Sequence, residues 1–283
     1  MTVTPELLED LVDDAGLFPP EQLPMGAAVA RHRADSAAGH LMLTDRFLCP
    51  ASRIGELRAV LDAGPIGPDP LRVGLIIDTW LEGVPAALAE LAAEPRCSLE
   101  GMELPTPSAA AVAEALAALS DVDVPVFLEG PREPGVIEAL AQWAGPALRG
   151  AKVRCGGARP ELFPSPEDLA AFVHVCWVRT VPFKATAGLH RAVRAVDERD
   201  GLIHHGFLNL LVAAAFAVRG ETEGHLAAVV AETDSGRLAA WAHEVSPGNA
   251  KLARSLLVAY GSCSTSEPRE EAGALGLLAG SGP

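Results

Sequence analysis

Lysine is nearly absent from this chain: Lys152, Lys184 and Lys251 are the only ones, and arginine supplies the other cations. An amine inside an apolar strand is therefore not compositional background. Positive charge as a whole is also short. The net charge of -15 and a pI near 4.9 repel phosphates, which argues against a nucleic-acid or anionic-membrane partner while leaving room for local basic pockets. No apolar run reaches the roughly 18 residues that a membrane span needs. The 49% hydrophobic content and mean hydropathy of +0.23 must then be absorbed by a core, and the chain is long enough to build a large one. The acidic stretch Met1 to Asp10 has neither the basic start nor the apolar stretch of a secretion signal, so a cytoplasmic location is expected. Cys49, Cys97, Cys155, Cys176 and Cys263 are odd in number and lack CxxC spacing. That pattern points to reduced core thiols and excludes a disulfide framework or a zinc knuckle.

What is present is a βα grammar: short apolar runs alternate with Ala- and Leu-rich segments of helical period, separated by Pro, Gly or Ser clusters. Strands are predicted at Asp13–Phe18, Leu41–Cys49, Arg72–Asp78, Ser98–Glu103, Pro125–Glu129, Ala151–Cys155, Pro182–Thr186 and Leu256–Cys263. Helices fall near Pro24–Ala37, Arg53–Ala63, Val84–Ala93, Ser108–Leu119, Gly135–Ala144, Pro166–Val178, Phe207–Arg219 and Glu270–Leu278, with extra pieces at Glu223–Ala231 and Gly236–His243 before the last strand. Ser52, Ser108 and Ser165-Pro166 carry helix-start signals. Eight strands predict one α/β domain over residues 1–283, a (β/α)8 TIM-type barrel. The rival open doubly wound sheet needs a glycine-rich turn after the first strand, and Ala15-Gly16-Leu17-Phe18-Pro19-Pro20 does not match GxGxxG. The tail Gly280–Pro283 is expected to fray.

In such a barrel the chemistry sits at the C-terminal strand ends. Polar residues recur there: Asp14, Asp78, Glu103, Glu129, Arg154, Lys184, Ser262 and Ser264. Period-two alternation places Lys184 with Thr186 on one face, and Lys152 with Arg154 on one face of the preceding strand. If that face is the lumen, these cations meet the carboxylates of Glu103 and Glu129. Glu100, of opposite parity, is expected at the surface or an edge. Arg154 offers a fork to a carboxylate or phosphate, and Gly156 and Gly157 let backbone approach a ligand. Gly188 and the turn holding Ser262 and Ser264 follow the seventh and eighth strands, where barrels often bind anions. Residues 189–206 form a long connection able to act as a lid. From it His190 is the preferred acid/base, since imidazole titrates near neutrality. His204 and His205 are adjacent and lack the i,i+4 spacing of a helical metal site.

At Phe183-Lys184-Ala185-Thr186-Ala187-Gly188 the sequence resembles the Schiff-base lysine segment of class I aldolases, most closely the Lys-Thr-Ser-Thr-Gly pattern of deoxyribose-phosphate aldolases. The resemblance implies that Lys184 forms the carbinolamine and imine, that a second cation tunes it, and that an acid shuttles protons. The following strand has no lysine, so the tuning role would pass to Lys152 or Arg154. The whole chain, through Asp14–Pro20, Lys184–His190 and Gly261–Ser264, also resembles a bacterial protein family with no assigned activity.

The leading expectation is a lyase of aldolase type with no cofactor, acting on a small anionic oxo compound. Lys184 would be the nucleophile, Glu129, Glu103 or His190 the proton carriers, and Arg154 with the turns at Gly188 and Ser262 the anion site. One alternative is a divalent-metal lyase or isomerase with Asp78, Glu103 and Glu129 as ligands and Lys184 as base. Another is a non-catalytic binder of a small anionic metabolite, or a purely structural polar network. Apolar surplus on the helices also allows a homo-oligomer.

Overall fold

Alternating apolar strands and amphipathic helices have few ways to bury both faces of a parallel sheet, and this chain closes the sheet on itself. The computed structural model describes residues 3–64, 67, 69–131, 134–198 and 200–278. Its eight barrel strands are β1 (Val12–Asp14), β2 (Leu43–Pro50), β3 (Leu71–Ile76), β4 (Cys97–Pro105), β5 (Val126–Glu129), β6 (Arg149–Arg154), β7 (Phe183–Thr186) and β8 (Leu257–Ser262). All pair in parallel, and the ring closes where β1 meets β8. The α/β barrel expected from the strand count is the observed fold.

Helices α1 (Pro5–Leu8), α2 (Met25–Ala38), α3 (Ile54–Ala63), α4 (Trp80–Ala92), α5 (Ala109–Ala118), α6 (Pro134–Ala141) and α7 (Pro166–Val178) occupy the first seven positions. The start of α7 shows why it forms there. Ser165 accepts from the Asp168 amide at 3.1 Å, Asp168 accepts in return from the Ser165 amide at 3.1 Å, and Pro166 fills the first turn. Four helices then precede the last strand: α8 (Phe207–Val218), α9 (Glu223–Ala231), α10 (Ser235–His243) and α11 (Pro247–Leu256). Helix α8 is buried from Phe207 to Ala217, because the barrel covers one side and neighbouring helices the other. Outward strand residues meet these helices: Phe183 packs edge-on against Phe172 of α7, and Tyr260 stacks on Phe207 of α8.

Several boundaries differ from the sequence expectation. Strand β1 ends at Asp14, not Phe18, because the chain turns there: Asp14 Oδ1 accepts from the Gly16 amide at 2.9 Å. Helix α11 was not expected, although Ser246-Pro247 repeats the start signal seen at Ser165-Pro166 and Ser246 caps the Asn249 amide. The final helix, α12 (Glu267–Ala274), begins earlier than Glu270 because Ser264 Oγ accepts from the Glu267 amide. The connection over residues 189–206 is not structureless; Ala195–Val196 pairs with Ile203–His204 as a small antiparallel hairpin. Gly280–Pro283 lie outside the described residues. Among the described residues no helix is long and apolar enough to cross a membrane.

Two arginines, Arg149 buried and Arg254 half-buried, bind carbonyls at the N-terminal end of the barrel. Arg149 donates to the carbonyls of Leu119 at 2.6 Å and Val122 at 2.9 Å, and Arg254 to those of Asp10 at 2.8 Å and Val258 at 2.7 Å. The two guanidinium groups thus satisfy carbonyls of the α5 C-cap, of the loops before β5 and β1, and of β8.

Candidate active site

The inner face of the barrel is ionic where most such barrels are packed with aliphatic side chains. Lys152 pairs in register with Lys184 on one side and Glu129 on the other, so alternation turns all three the same way. The charges form one alternating chain. Arg46 donates to Asp13 Oδ1 at 2.7 Å, and the other oxygen of Asp13 contacts Lys184. Lys184 also contacts Glu103, whose second oxygen lies 2.8 Å from Lys152. Lys152 then reaches Glu129 at 2.9 Å, and Arg154 Nε donates to the remaining oxygen of Glu129 at 3.0 Å. Thr44 adds a hydroxyl donor to Asp13 at 2.6 Å.

Burying these charges is tolerable only because each has partners of opposite sign. Arg46, Lys184, Lys152 and Arg154 outnumber Asp13, Glu103 and Glu129 by one, which leaves a cationic interior inside a strongly acidic protein. Burial would raise the Glu103 carboxyl, but Lys152 and Lys184 override it and bring the group to about 2. Burial likewise opposes the lowering of Glu129 by Lys152 and Arg154, and the cations prevail. For Lys152, burial acts to lower the amine, yet Glu103 and Glu129 hold it above the usual lysine value.

The chain of charges runs between two hollows. At the C-terminal mouth a pocket of about 280 Å³ is lined by Glu129, Arg154, Thr106 and Trp80, with prolines between them. Toward the N-terminal end a hollow of about 80 Å³ is lined by Arg46, Glu103, Phe127 and Lys184. The Lys184 nitrogen lies 5.5 Å from the centre of the Phe127 ring. Exposure falls inward from the mouth: the Arg154 side chain is 43% exposed, Lys152 8% and Lys184 3%. Lys184 therefore lies one layer below the C-terminal pocket and lines the opposite hollow. It touches Glu103 directly, whereas Glu129 and Arg154 connect to it through Lys152.

The other sequence-derived residues separate into those at the mouth and those with local duties. Thr186 follows Lys184 on the inner face, near Leu48 and Gly261. Asp14 does not face the lumen. It pairs outward with Arg31 at 2.5 Å and His32 at 3.2 Å on α2, because its neighbour Asp13 takes the inward position. Gly156 and Gly188 press backbone on backbone: a Cβ on Gly188 would sit 3.2 Å from the Gly156 Cα, and φ at Gly188 is +76°. Gly157 packs under the Leu162 side chain. These glycines join the ends of β6 and β7.

Ser262 Oγ donates to the Ser264 carbonyl at 2.6 Å, and Ser264 Oγ caps α12. Both serines thus shape the turn after β8. His190 stands against Cys263 and Glu267, with its two ring nitrogens 3.7 and 3.9 Å from the Cys263 sulfur. So even a spacing puts the thiol in line with neither nitrogen, and burial pushes the Cys263 thiol up to about 11. This is not the geometry of an activated Cys–His pair. Glu100, expected at an edge, is half-buried and binds Arg72 at 3.0 Å.

The metal alternative required Asp78, Glu103 and Glu129 to converge, and they do not. Asp78 accepts from the Ser52 amide at 3.0 Å and from its hydroxyl, while Glu103 is taken by two lysines. Among the described residues no group of three or more His, Cys, Asp or Glu has metal-holding geometry.

Sequence reasoning missed Asp13, Thr44, Arg46, Trp80 and Thr106. The signal for Asp13 was there: of two consecutive aspartates in a strand after Leu11-Val12, one must face inward. Arg46 and Thr44 share its parity logic two positions apart on β2. Compared with protein-family models, curated proteins and solved structures, the chain matches none. The fold itself is of a class compatible with an enzyme, with a pocket at the end where barrels place their chemistry.

Proposed function

We propose that this barrel is an enzyme of lyase type that uses a lysine amine on a small oxo compound bearing an anionic group. The observation that supports the reading best is the in-register pair Lys152 and Lys184, with Glu103 between their nitrogens and Glu129 and Arg154 leading out to the C-terminal pocket. The reacting amine belongs to this pair. Lys184 is the member marked by its strand and glycine turn, and Lys152 is the member a pocket ligand meets first. Attack by either uses the same acids, because Glu103 touches both.

The chemistry follows from the contacts. Glu103 and Glu129 hold Lys152 charged, so reaction requires substrate entry to break an ion pair; a carboxylate then takes the ammonium proton, and the free amine adds to the substrate carbonyl to give a carbinolamine. The same acid returns the proton to the hydroxyl, which leaves as water and produces a protonated imine. That cation accepts the electron pair of the adjacent breaking C–C bond and becomes an enamine, while a carboxylate takes the proton released by the leaving fragment. Arg154 binds the anionic group.

Borohydride reduction of the intact protein with pyruvate as oxo-acid probe should leave a mass adduct on the peptide holding Lys152 or the one holding Lys184. Absence of any adduct, together with full retention of activity in Lys152→Ala and Lys184→Ala, rejects the reading.

A second reading is favoured by a separate observation: each amine already contacts two carboxylates. Under it the ion chain is structural and the pocket binds a small anion on Arg154 without reaction. Saturable anion binding with no trapped adduct distinguishes this case.

A further inference from the structure

We infer that the C-terminal pocket is built for a small anion that carries a flat ring. The inference rests on reading this pocket as the ligand site, and it does not depend on amine chemistry in the layer below. Charge comes from Arg154. Its Nε is engaged by Glu129, while its two terminal nitrogens have no protein partner among the described residues and the side chain is 43% exposed. That leaves a planar fork facing the pocket, suited to a carboxylate or phosphate.

The rest of the lining is largely apolar. Trp80 lines the pocket with 57% of its surface exposed, and Pro105, Pro107 and Pro131 lie beside it. The Trp80 backbone sits at φ +57°, a region a bulky residue rarely adopts. A large indole left in water on a strained backbone, in one pocket with a guanidinium whose terminal nitrogens are open, is the arrangement of a ring-stacking platform, not of a packed core.

The third observation is Thr106. Its hydroxyl is buried in the pocket lining with no hydrogen-bond partner, although native structures satisfy nearly all such groups. Gly130 packs against it, since a Cβ there would lie 3.1 Å from Thr106 Oγ1 and 3.4 Å from the Thr106 carbonyl oxygen. Rotation about the Thr106 Cα–Cβ bond would turn this hydroxyl toward the pocket, where a single ligand polar atom would complete it. A polyhydroxylated ligand would need several more partners than this wall supplies. The volume of about 280 Å³ lies just below the range of drug-sized ligand sites, about 300–1,000 Å³, which sets the size of ring that fits. The ligand class is thus an aryl or heteroaryl carboxylate or phosphate: ring on Trp80, anion on Arg154, one polar substituent toward Thr106.

Calorimetric titration of the full chain tests this with phenyl phosphate and benzoate as ring anions, against inorganic phosphate and benzyl alcohol. None of the four has an oxo carbon, so the titrations read the pocket alone and stand whether or not an imine is ever trapped. Both ring anions should bind, with phosphate and benzyl alcohol each at least about tenfold weaker. Trp80→Ala should weaken phenyl phosphate about tenfold without changing phosphate, and Trp80→Phe should keep most of the affinity. Arg154→Gln should weaken both ring anions by about tenfold or more while leaving benzyl alcohol unchanged. Phosphate binding as tightly as phenyl phosphate, Trp80→Ala binding like the parent protein, or no binding of either ring anion would each overturn the inference. Trp80 is exposed, so its variants keep the test alive if Arg154→Gln fails to fold.

Discussion

Lys152 and Lys184 face one another in the parallel register of β6 and β7, and both nitrogens reach the same carboxylate, that of Glu103. Two like charges on neighbouring strands repel unless an anion stands between them. Glu103 supplies one oxygen to each, which makes it the centre of the ionic interior.

Removing that anion should therefore be costly. Glu103→Gln keeps the shape but leaves two buried ammonium groups short of a partner, and a loss of about 3–5 kcal/mol is expected. Urea unfolding of parent and variant measures it. A loss below about 1 kcal/mol would show that the lysines find other partners.

The pH dependence follows from the direction of each shift. Glu103 and Glu129 are lowered in the folded state. Their contribution is complete above the unfolded value of 4.5 and is lost as pH falls through the folded values, which for Glu103 means toward about 2. Lys152 is raised, so its contribution is complete below the unfolded value of 10.5 and fades only as pH rises beyond it toward the higher folded value. Urea midpoints should fall steeply between these acid limits in the parent protein and less steeply in Glu103→Gln. Equal slopes for both proteins would contradict the assignment.

Tyr260, the single tyrosine, presents the opposite case. Its ring stacks on Phe207 at 5.7 Å, while its hydroxyl is buried with no partner among the described residues. Tyr260→Phe keeps the stack and removes an unsatisfied group, so stability should be unchanged or higher by about 1 kcal/mol. Thermal unfolding checks this; a clear loss of stability would reveal a hydrogen bond to that oxygen.

Gly188→Ala should destabilise by more than about 1 kcal/mol, since the residue sits at positive φ and its new methyl would press on Gly156 and the Cys155 carbonyl. The same substitution should weaken phenyl phosphate binding less than Trp80→Ala does, because Gly188 shapes the β6–β7 junction outside the pocket lining. Calorimetry and unfolding on one preparation separate the two effects.

Much of the architecture was legible because it depends on period and punctuation. Runs such as Leu75-Ile76-Ile77 and Val126-Phe127-Leu128 declare buried strands, and Ser165-Pro166-Glu167 declares a helix start. Boundaries shifted where a side chain outside the run decided them, as Asp14 did by capping the turn after β1. The site was legible in half. Lys184, Lys152, Glu103, Glu129 and Arg154 announce themselves by parity on clear strands. Asp13 did not, because a strand of three residues carries too little alternation to say which of two aspartates faces in. Thr106 sits in the loop that leaves β4 and Trp80 is the first residue of α4, and no strand alternation constrains either position.

What the amino-acid order determined alone was the class of fold and the lumenal charges Glu103, Glu129, Lys152, Arg154 and Lys184, since both follow from local alternation of apolar and polar residues. Only the closed barrel decided which charges touch. Ring closure brings Asp13 of β1 to Lys184 of β7, and Glu103 of β4 across to the same nitrogen. Residues 81 positions apart meet because the strands converge on one axis, and that distance in sequence carries no local signal.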